Sequence, residues 1–211
     1  MTIKLAVADD HAVVREGVIR ILADESDIAV VGSAATGDEL VGLVLRGLRP
    51  DVALLDLAMP AGGLDLVTRL HELRPELRIL VYSMHPEQEY AVRCLSAGAL
   101  GYVGKGCPPE ALIEAIRTVA EGRRYISDTA AGVLAASALD GTLDRPHERL
   151  SNREYEVFRR LAGGESSGEI AETLGLSVKS VSTYRARVLD KLRMARNADL
   201  TRYALEHGLL D

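Results

Sequence analysis

The pattern of apolar and polar positions changes character twice along this 211-residue chain. Through the first 121 residues, short apolar runs rich in β-branched residues alternate with stretches whose apolar residues recur at helical spacing. Five runs read as strands: Ile3–Ala8, Ile28–Val31, Val52–Leu55, Ile79–Tyr82 and Ala99–Val103. Each is apolar almost throughout, the mark of strands buried on both faces of a parallel sheet. The intervening periodic sets are Val14/Val18/Ile21/Leu22, Leu40/Val41/Val44/Leu45/Leu48, Leu66/Val67/Leu70 and Leu112/Ile113/Ile116/Val119, with a further helix around Glu87–Ala97. This alternation predicts an α/β domain, a parallel sheet covered by helices.

After Gly122 the periodicity fades through Ser127–Glu148, where small residues, Gly141 and Pro146 predict a linker holding a short helix around Thr129–Leu139. From Leu150 onward only helices are expected: Asn152–Ala162, Gly168–Leu174, Val178–Leu192 and Ala198–Glu206. Ser151 with Glu154 three positions on is a capping box for the first. The expected organisation is therefore 1–121, a linker at 122–148, and a helical domain at 149–211.

Composition adds bounds. An apolar fraction of 47% with 27% charged residues suits globular domains with real cores and excludes fibrous or disordered classes. Asp9 and Asp10 interrupt the N-terminus before a signal peptide could form, and no run approaches a membrane span, so a cytoplasmic protein with no membrane partner is expected. Cys94 and Cys107 lack a C-x-x-C or Cys/His arrangement and read as packing residues rather than a disulfide or zinc site. The five histidines show no metal-ligand spacing, and His11 reads as lining the loop beside the acids. The net charge of −6 divides unevenly. Residues 149–211 hold eleven Lys/Arg against nine Asp/Glu, whereas residues 1–148 hold fourteen against twenty-two. Within Ser177–Arg196, six cations face only Asp190.

The acidic half carries its chemistry at strand ends. Asp9 and Asp10 close the first strand, Asp56 follows the third, Ser83 follows the fourth, and Lys105 stands just past the fifth. In an open parallel sheet, ligands bind outside the carboxyl ends of the strands, so these groups should share one rim. Clustered carboxylates repel one another and call for a compensating cation. Oxygen ligands of this kind favour Mg²⁺, which keeps several waters and pairs one or two carboxylates with phosphate oxygens. Asp56 is the candidate nucleophile for an acyl phosphate, with Lys105 and Ser83 spreading the charge of the transferred group.

The basic half carries a helix–Gly turn–helix, with Gly175-Leu176-Ser177 between helices and Ser177 as N-cap. On the second helix Val178, Val181, Val188 and Leu192 form an apolar stripe, leaving Lys179, Ser182, Thr183, Ala186, Arg187 and Asp190 on the opposite face. Ser and Thr can hydrogen-bond base edges, an Ala or Thr methyl can meet thymine, and Lys or Arg can bind phosphates. Arg185 lies near the apolar stripe, its stem packed and its head directed towards the flank.

Two resemblances follow. Val7-Ala8-Asp9-Asp10-His11, Leu54–Pro60, Val81–His85 and Gly98–Lys105 resemble the receiver domains of two-component response regulators over residues 3–121. The resemblance implies a flavodoxin-like five-stranded parallel sheet of order 2-1-3-4-5 and phosphorylation of Asp56 by a sensor histidine kinase. It also implies Mg²⁺ held by Asp10, Asp56 and the Ala58 carbonyl, with Asp9 acting through water, and Ser83 and Tyr102 as the residues that reorient on phosphorylation. The chain departs from the family in one respect: Gly63 follows Asp56 by seven residues where the family's Gly follows by eight. Residues 149–207 are similar to the four-helix LuxR/NarL/FixJ DNA-binding domain, and Val181–Arg187 to its BvgA/GacA-like branch. That similarity places Ser182, Thr183 and Ala186 at base-reading positions and Lys179, Arg187 and Lys191 at phosphate-facing ones. It implies homodimers on double-stranded DNA with the last helix, Ala198–Glu206, as contact, and RNA polymerase as a candidate partner.

Two other classes have weaker support. Haloacid-dehalogenase-type phosphatases also form aspartyl phosphates, but need a second Asp where this chain has Ala58. A ligand-controlled regulator using the fold only as scaffold would be marked by loss of Asp56, Ser83 or Lys105, and all three are present.

Overall fold

The computed structural model describes residues 2–127, 130–132 and 146–210, and the chain divides into two compact units, Met1–Ala136 and Ser137–Asp211. The first is built on a five-stranded parallel sheet of order β2-β1-β3-β4-β5: β1 (Ile3–Ala8), β2 (Ile28–Ala34), β3 (Val52–Leu55), β4 (Arg78–Ser83) and β5 (Gly101–Gly104). Five helices connect or follow the strands: α1 (Ala12–Leu22), α2 (Gly37–Leu45), α3 (Gly63–Leu73), α4 (Glu87–Ser96) and α5 (Pro109–Ala120). Alternate residues of the strands point to opposite faces. Leu5, Val7, Leu54, Leu80 and Val103 meet Val18 and Leu22 of α1 and Leu112, Ile116 and Val119 of α5 in one buried cluster. Right-handed crossovers place α2, α3 and α4 on the other face, where Leu40, Val44, Leu64, Val67, Leu70 and Cys94 are buried.

Three details differ from the pattern reading. Strand β2 runs on to Ala34, because a register shift between Leu5 and Ala6 lets Gly32, Ser33 and Ala34 keep pairing with β1. Leu45, counted among the apolar positions of α2, is 65% exposed at the end of that helix, where the chain turns away and nothing covers it. Beyond α5 the chain turns at Gly122 and returns to the sheet edge. Tyr125 bridges to Gly101, its N–H donating to Leu100 O at 2.9 Å, so the first residues assigned to the linker extend the sheet. The short helix expected over Thr129–Leu139 lies outside the described residues except at 130–132, which are helical.

The second unit starts with a 3₁₀ turn at Pro146–Arg149 and continues through α6 (Asn152–Ala162), α7 (Ser167–Leu174), α8 (Val178–Leu192) and α9 (Asn197–Glu206). Capping boxes open α6 at Ser151/Glu154 and α7 at Ser166/Glu169, satisfying N–H groups that a helix start otherwise leaves unpaired. Helix α6 packs against both α8 and α9, with Phe158, Leu161, Ile170, Val181, Val188, Leu200 and Tyr203 buried. Buried His147 joins the 3₁₀ turn to α9, its Nδ1 lying 2.9 Å from the Tyr203 hydroxyl. Among the described residues no helix is long and apolar enough to cross a membrane.

Candidate functional site

The strand order explains how residues from four segments meet. β1, β3, β4 and β5 run parallel, so Asp9, Asp56, Ser83 and Lys105 all emerge at the same end of adjacent strands. Backbone bonds fix the register at that rim: Asp9 N–H donates to Ala34 O, Asp56 N–H to Ala8 O and Lys105 N–H to Ser83 O.

The Lys105 ammonium lies 2.7 Å from Asp9 Oδ2 and 2.9 Å from Asp56 Oδ2, and its side chain is only 7% exposed. Burial pushes the Lys105 ammonium down, but the charges of the two adjacent carboxylates outweigh it and hold the group above the usual lysine range. The approach to Asp56 is not aligned as a hydrogen bond. Asp56 is 1% exposed, and neither of its side-chain oxygens has a hydrogen-bond donor among the described residues. Buried carboxylate oxygens are seldom left so; oxygens in this state fit a cation or an incoming phosphoryl group.

Asp10 is the more exposed acid, with His11 Nδ1 at 2.8 Å from its Oδ1. The His11 N–H donates to Asp9 Oδ1 at 2.8 Å, and Arg15 of α1 donates to the Asp9 carbonyl at 2.6 Å. Asp9, Asp10, His11 and Asp56 hold ligand-type atoms within 4.8 Å of one another. His11, read as loop lining, therefore stands within the cluster, because the chain folds back over Asp9 before entering α1. Arg15 carried no sequence signal beyond its place one helical turn after His11. Ala58 lies in the bend beyond Asp56, and further along the same loop Ala61 and Gly63 have positive φ, +54° and +78°.

Ser83 is fully buried, and its Oγ accepts from the His85 N–H at 3.4 Å. Tyr102 is 2% exposed and its hydroxyl donates to the His85 carbonyl at 2.7 Å; burial raises the phenol well above its ordinary range. The His85 ring stacks on Tyr90 of α4 at 4.6 Å. Ser127 donates to Glu87 Oε1 on α4 at 2.6 Å. Neither His85 nor Ser127 was legible in the sequence as part of this face, because both depend on where α4 lies.

In the helical unit, Gly175 at φ +64° closes α7 in the left-handed region and directs the chain into α8. Ser177 caps α8, accepting from Ser180 N–H at 3.0 Å. Lys179, Ser182, Thr183, Ala186, Arg187 and Asp190 are all exposed, as the helical period requires. Ser182 and Thr183 donate their hydroxyls to the carbonyls of Val178 and Lys179, both at 3.0 Å, which leaves each oxygen's acceptor capacity outward. The apolar stripe needs one correction: Val178 is 54% exposed, and Leu189 is buried with Val181, Val188 and Leu192 instead. Val178 is the first residue of the helix. Arg185 is half-buried, its Nε donating to Asn197 Oδ1 at 2.7 Å. Lys191 places its ammonium 2.6 Å from Oε2 of the buried Glu154 and 3.4 Å from the Arg149 carbonyl.

A doubly wound five-stranded domain with an acidic rim, joined to a helix-turn-helix unit, defines the class of DNA-binding response regulators. The response regulator receiver domain model matches residues 5–117 and the model for bacterial regulatory proteins of the luxR family matches residues 148–204. The chain belongs to the two-component response regulators with a LuxR-type DNA-binding domain; it is a transcription regulator and not an enzyme. It is 38% identical over 211 residues to response regulator GacA of Pseudomonas aeruginosa, covering 99% of this chain and 98% of that protein. With response regulator UvrY of Escherichia coli the identity is 36% over 209 residues, covering 98% and 95%. Among solved structures, RcsB of Salmonella enterica serovar Typhimurium bound to promoter rprA in the presence of phosphomimetic BeF₃⁻ is 26% identical. It aligns with a TM-score of 0.71, over 96% of this chain and 98% of that one.

Proposed function

We propose that Asp56 is the phosphoacceptor, that a sensor histidine kinase supplies the phosphoryl group, and that the modification controls how the helical unit binds DNA. The observation that carries this reading is the Asp56 carboxylate: buried, without hydrogen-bond donors among the described residues, and 2.9 Å from the Lys105 ammonium. An Asp56 oxygen attacks phosphorus, the bond from phosphorus to the donor's nitrogen or oxygen breaks, and the leaving group carries away its electron pair. Lys105 and the Ser83 hydroxyl take up charge on the transferred oxygens.

Asp10, Asp56 and the Ala58 carbonyl would hold Mg²⁺, with Asp9 bonded through water. The unsatisfied Asp56 oxygens and the neighbouring carboxylate oxygens of Asp9 and Asp10 fit that ion, His11 bringing the one nitrogen of the cluster. When bound, Mg²⁺ neutralises phosphoryl oxygens as they approach the acids. The kinase's histidine-bearing domain would lie over α1. An open groove of about 360 Å³ lined by His11, Val14, Ile21, Tyr82, Met84 and Lys105 leads to the pocket, and Met84 in its wall is 76% exposed. Tyr102, hydrogen-bonded to the segment after Ser83, would pass the change to the α4–β5 face.

On the DNA side, Ser182, Thr183 and Ala186 would read base edges in the major groove while Lys179 and Arg187 bind phosphates. The RcsB assemblies include one described as two dimers bound to two parallel DNAs, and pairing through α9 on a two-fold site is assigned here by analogy. A cytoplasmic location and contact with RNA polymerase complete the reading. The test is acetyl phosphate with Mg²⁺: the wild type should gain the mass of one phosphoryl group and bind a selected duplex more tightly, and Asp56→Asn should do neither. Phosphate-dependent activation surviving in Asp56→Asn would refute it.

A further inference from the structure

We propose that Lys191 is a positioning residue, whose pairing with Glu154 sets where the recognition helix α8 stands on its domain, and not a phosphate contact. The proposal rests on α8 being the DNA-facing helix. Glu154 is 3% exposed, and its Oε2 accepts both the Lys191 ammonium at 2.6 Å and the Ser151 N–H at 2.7 Å. The Ser151 hydroxyl answers by accepting from Glu154 N–H at 3.3 Å. The same ammonium reaches the Arg149 carbonyl at 3.4 Å. One side chain thus ties the C-terminal end of α8 to the start of α6 and to the 3₁₀ turn through which the chain enters the unit.

Burial pushes the Glu154 carboxyl up, but the Lys191 ammonium and the Ser151 donors hold it below the usual carboxylate range, so it is charged at neutral pH. For Lys191 to swing towards a DNA phosphate it would have to leave that carboxylate charged and buried without its cation, which is strongly unfavourable.

Helix geometry agrees. At about 100° per residue, Lys191 lies about 80° from the centre of the buried stripe formed by Val181, Val188 and Leu192, whereas Lys179 lies about 160° and Arg187 about 120° away. Lys191 therefore stands on a flank of the buried stripe, and its contact with Glu154 marks that flank as the one beside α6. Among the described residues Lys179 and Arg187 form no ion pair, so their charges remain available to phosphate.

The salt dependence of binding separates the two roles, because each phosphate neutralised contributes about 0.9 to the slope of log K against log salt concentration. The full-length chain would be titrated against a fluorescein-labelled mixed-sequence duplex at several salt concentrations. Lys179→Met and Arg187→Met should each lower the slope by about 0.9 per bound copy. The double variant Glu154→Gln/Lys191→Gln, which keeps a neutral hydrogen bond at the joint, should leave the slope at the wild-type value. Lys191→Met alone should weaken binding at every salt concentration without changing the slope, and Lys191→Arg should restore affinity. A slope lowered by about 0.9 per copy in the double variant would make Lys191 a phosphate contact and overturn the proposal. Slopes unchanged in Lys179→Met and Arg187→Met would overturn the DNA-facing assignment of α8, and the proposal with it.

Discussion

Replacing Lys105 by Met keeps much of the apolar stem and removes one charge from between two buried acids. In the native pocket the ammonium lies 2.7 and 2.9 Å from carboxylates that are 4% and 1% exposed. At an effective dielectric of about 20, each contact near 3 Å is worth about 5–6 kcal/mol of gross attraction, most of it offset by the desolvation of the three ions. What the variant feels is the loss of one partner from a buried pair, about 3–5 kcal/mol. The excess negative charge left behind should make the folded unit depend on a divalent cation. At one hundred times its dissociation constant, Mg²⁺ restores about 2.7 kcal/mol by binding the folded state alone. The assay is urea unfolding of the full-length chain in EDTA and in Mg²⁺, followed through hydrogen–deuterium exchange of peptides from β1 and β3. A loss below about 1 kcal/mol in EDTA would fall within the range of exposed ion pairs. It would refute the argument that Lys105 compensates Asp9 and Asp56.

Other predictions concern packing and pH. Glu154 titrates below its ordinary value of 4.5 in the folded unit. Its pairing therefore stabilises fully above that value and is lost as pH falls through the folded pKa; Glu154→Gln should flatten the acid limb of stability measured by circular dichroism. Gly98 sits at φ +109°, and a Cβ there would come within 2.7 Å of the His71 ring. Gly98→Ala should accordingly cost about 1–3 kcal/mol in a urea titration. Ser151→Ala removes the hydroxyl cap of α6 and should cost about 1 kcal/mol; no change would mean that the capping box contributes nothing.

Much of this architecture is legible in the sequence, for local reasons. Near-continuous runs such as Val52–Leu55 can be buried on both faces only in a covered parallel sheet, and the structure buries all four residues. Asn152–Ala162 and Val178–Leu192 have the bounds read from capping serines and period. The failures are tertiary. Val178 belongs to the apolar stripe by angle but not by cover, and Leu45 is apolar with nothing above it. Tyr125 re-pairs with the sheet because Gly122 turns the chain back past Gly101, a return that no periodicity announces.

The same division holds at the sites. Strand ends are set by local pattern, so the sequence by itself determined that Asp9, Asp10, Asp56, Ser83 and Lys105 would gather at one rim once parallel strands were inferred. Helical period likewise determined that Lys179, Ser182, Thr183, Ala186 and Arg187 would share an outward face. Only the tertiary structure decided which charges are spent. Lys105 spans Asp9 and Asp56, His11 folds back onto the acids, and Lys191 pairs with Glu154. Such pairings join residues far apart in the chain, and their strength depends on distance and burial, which sequence spacing does not encode.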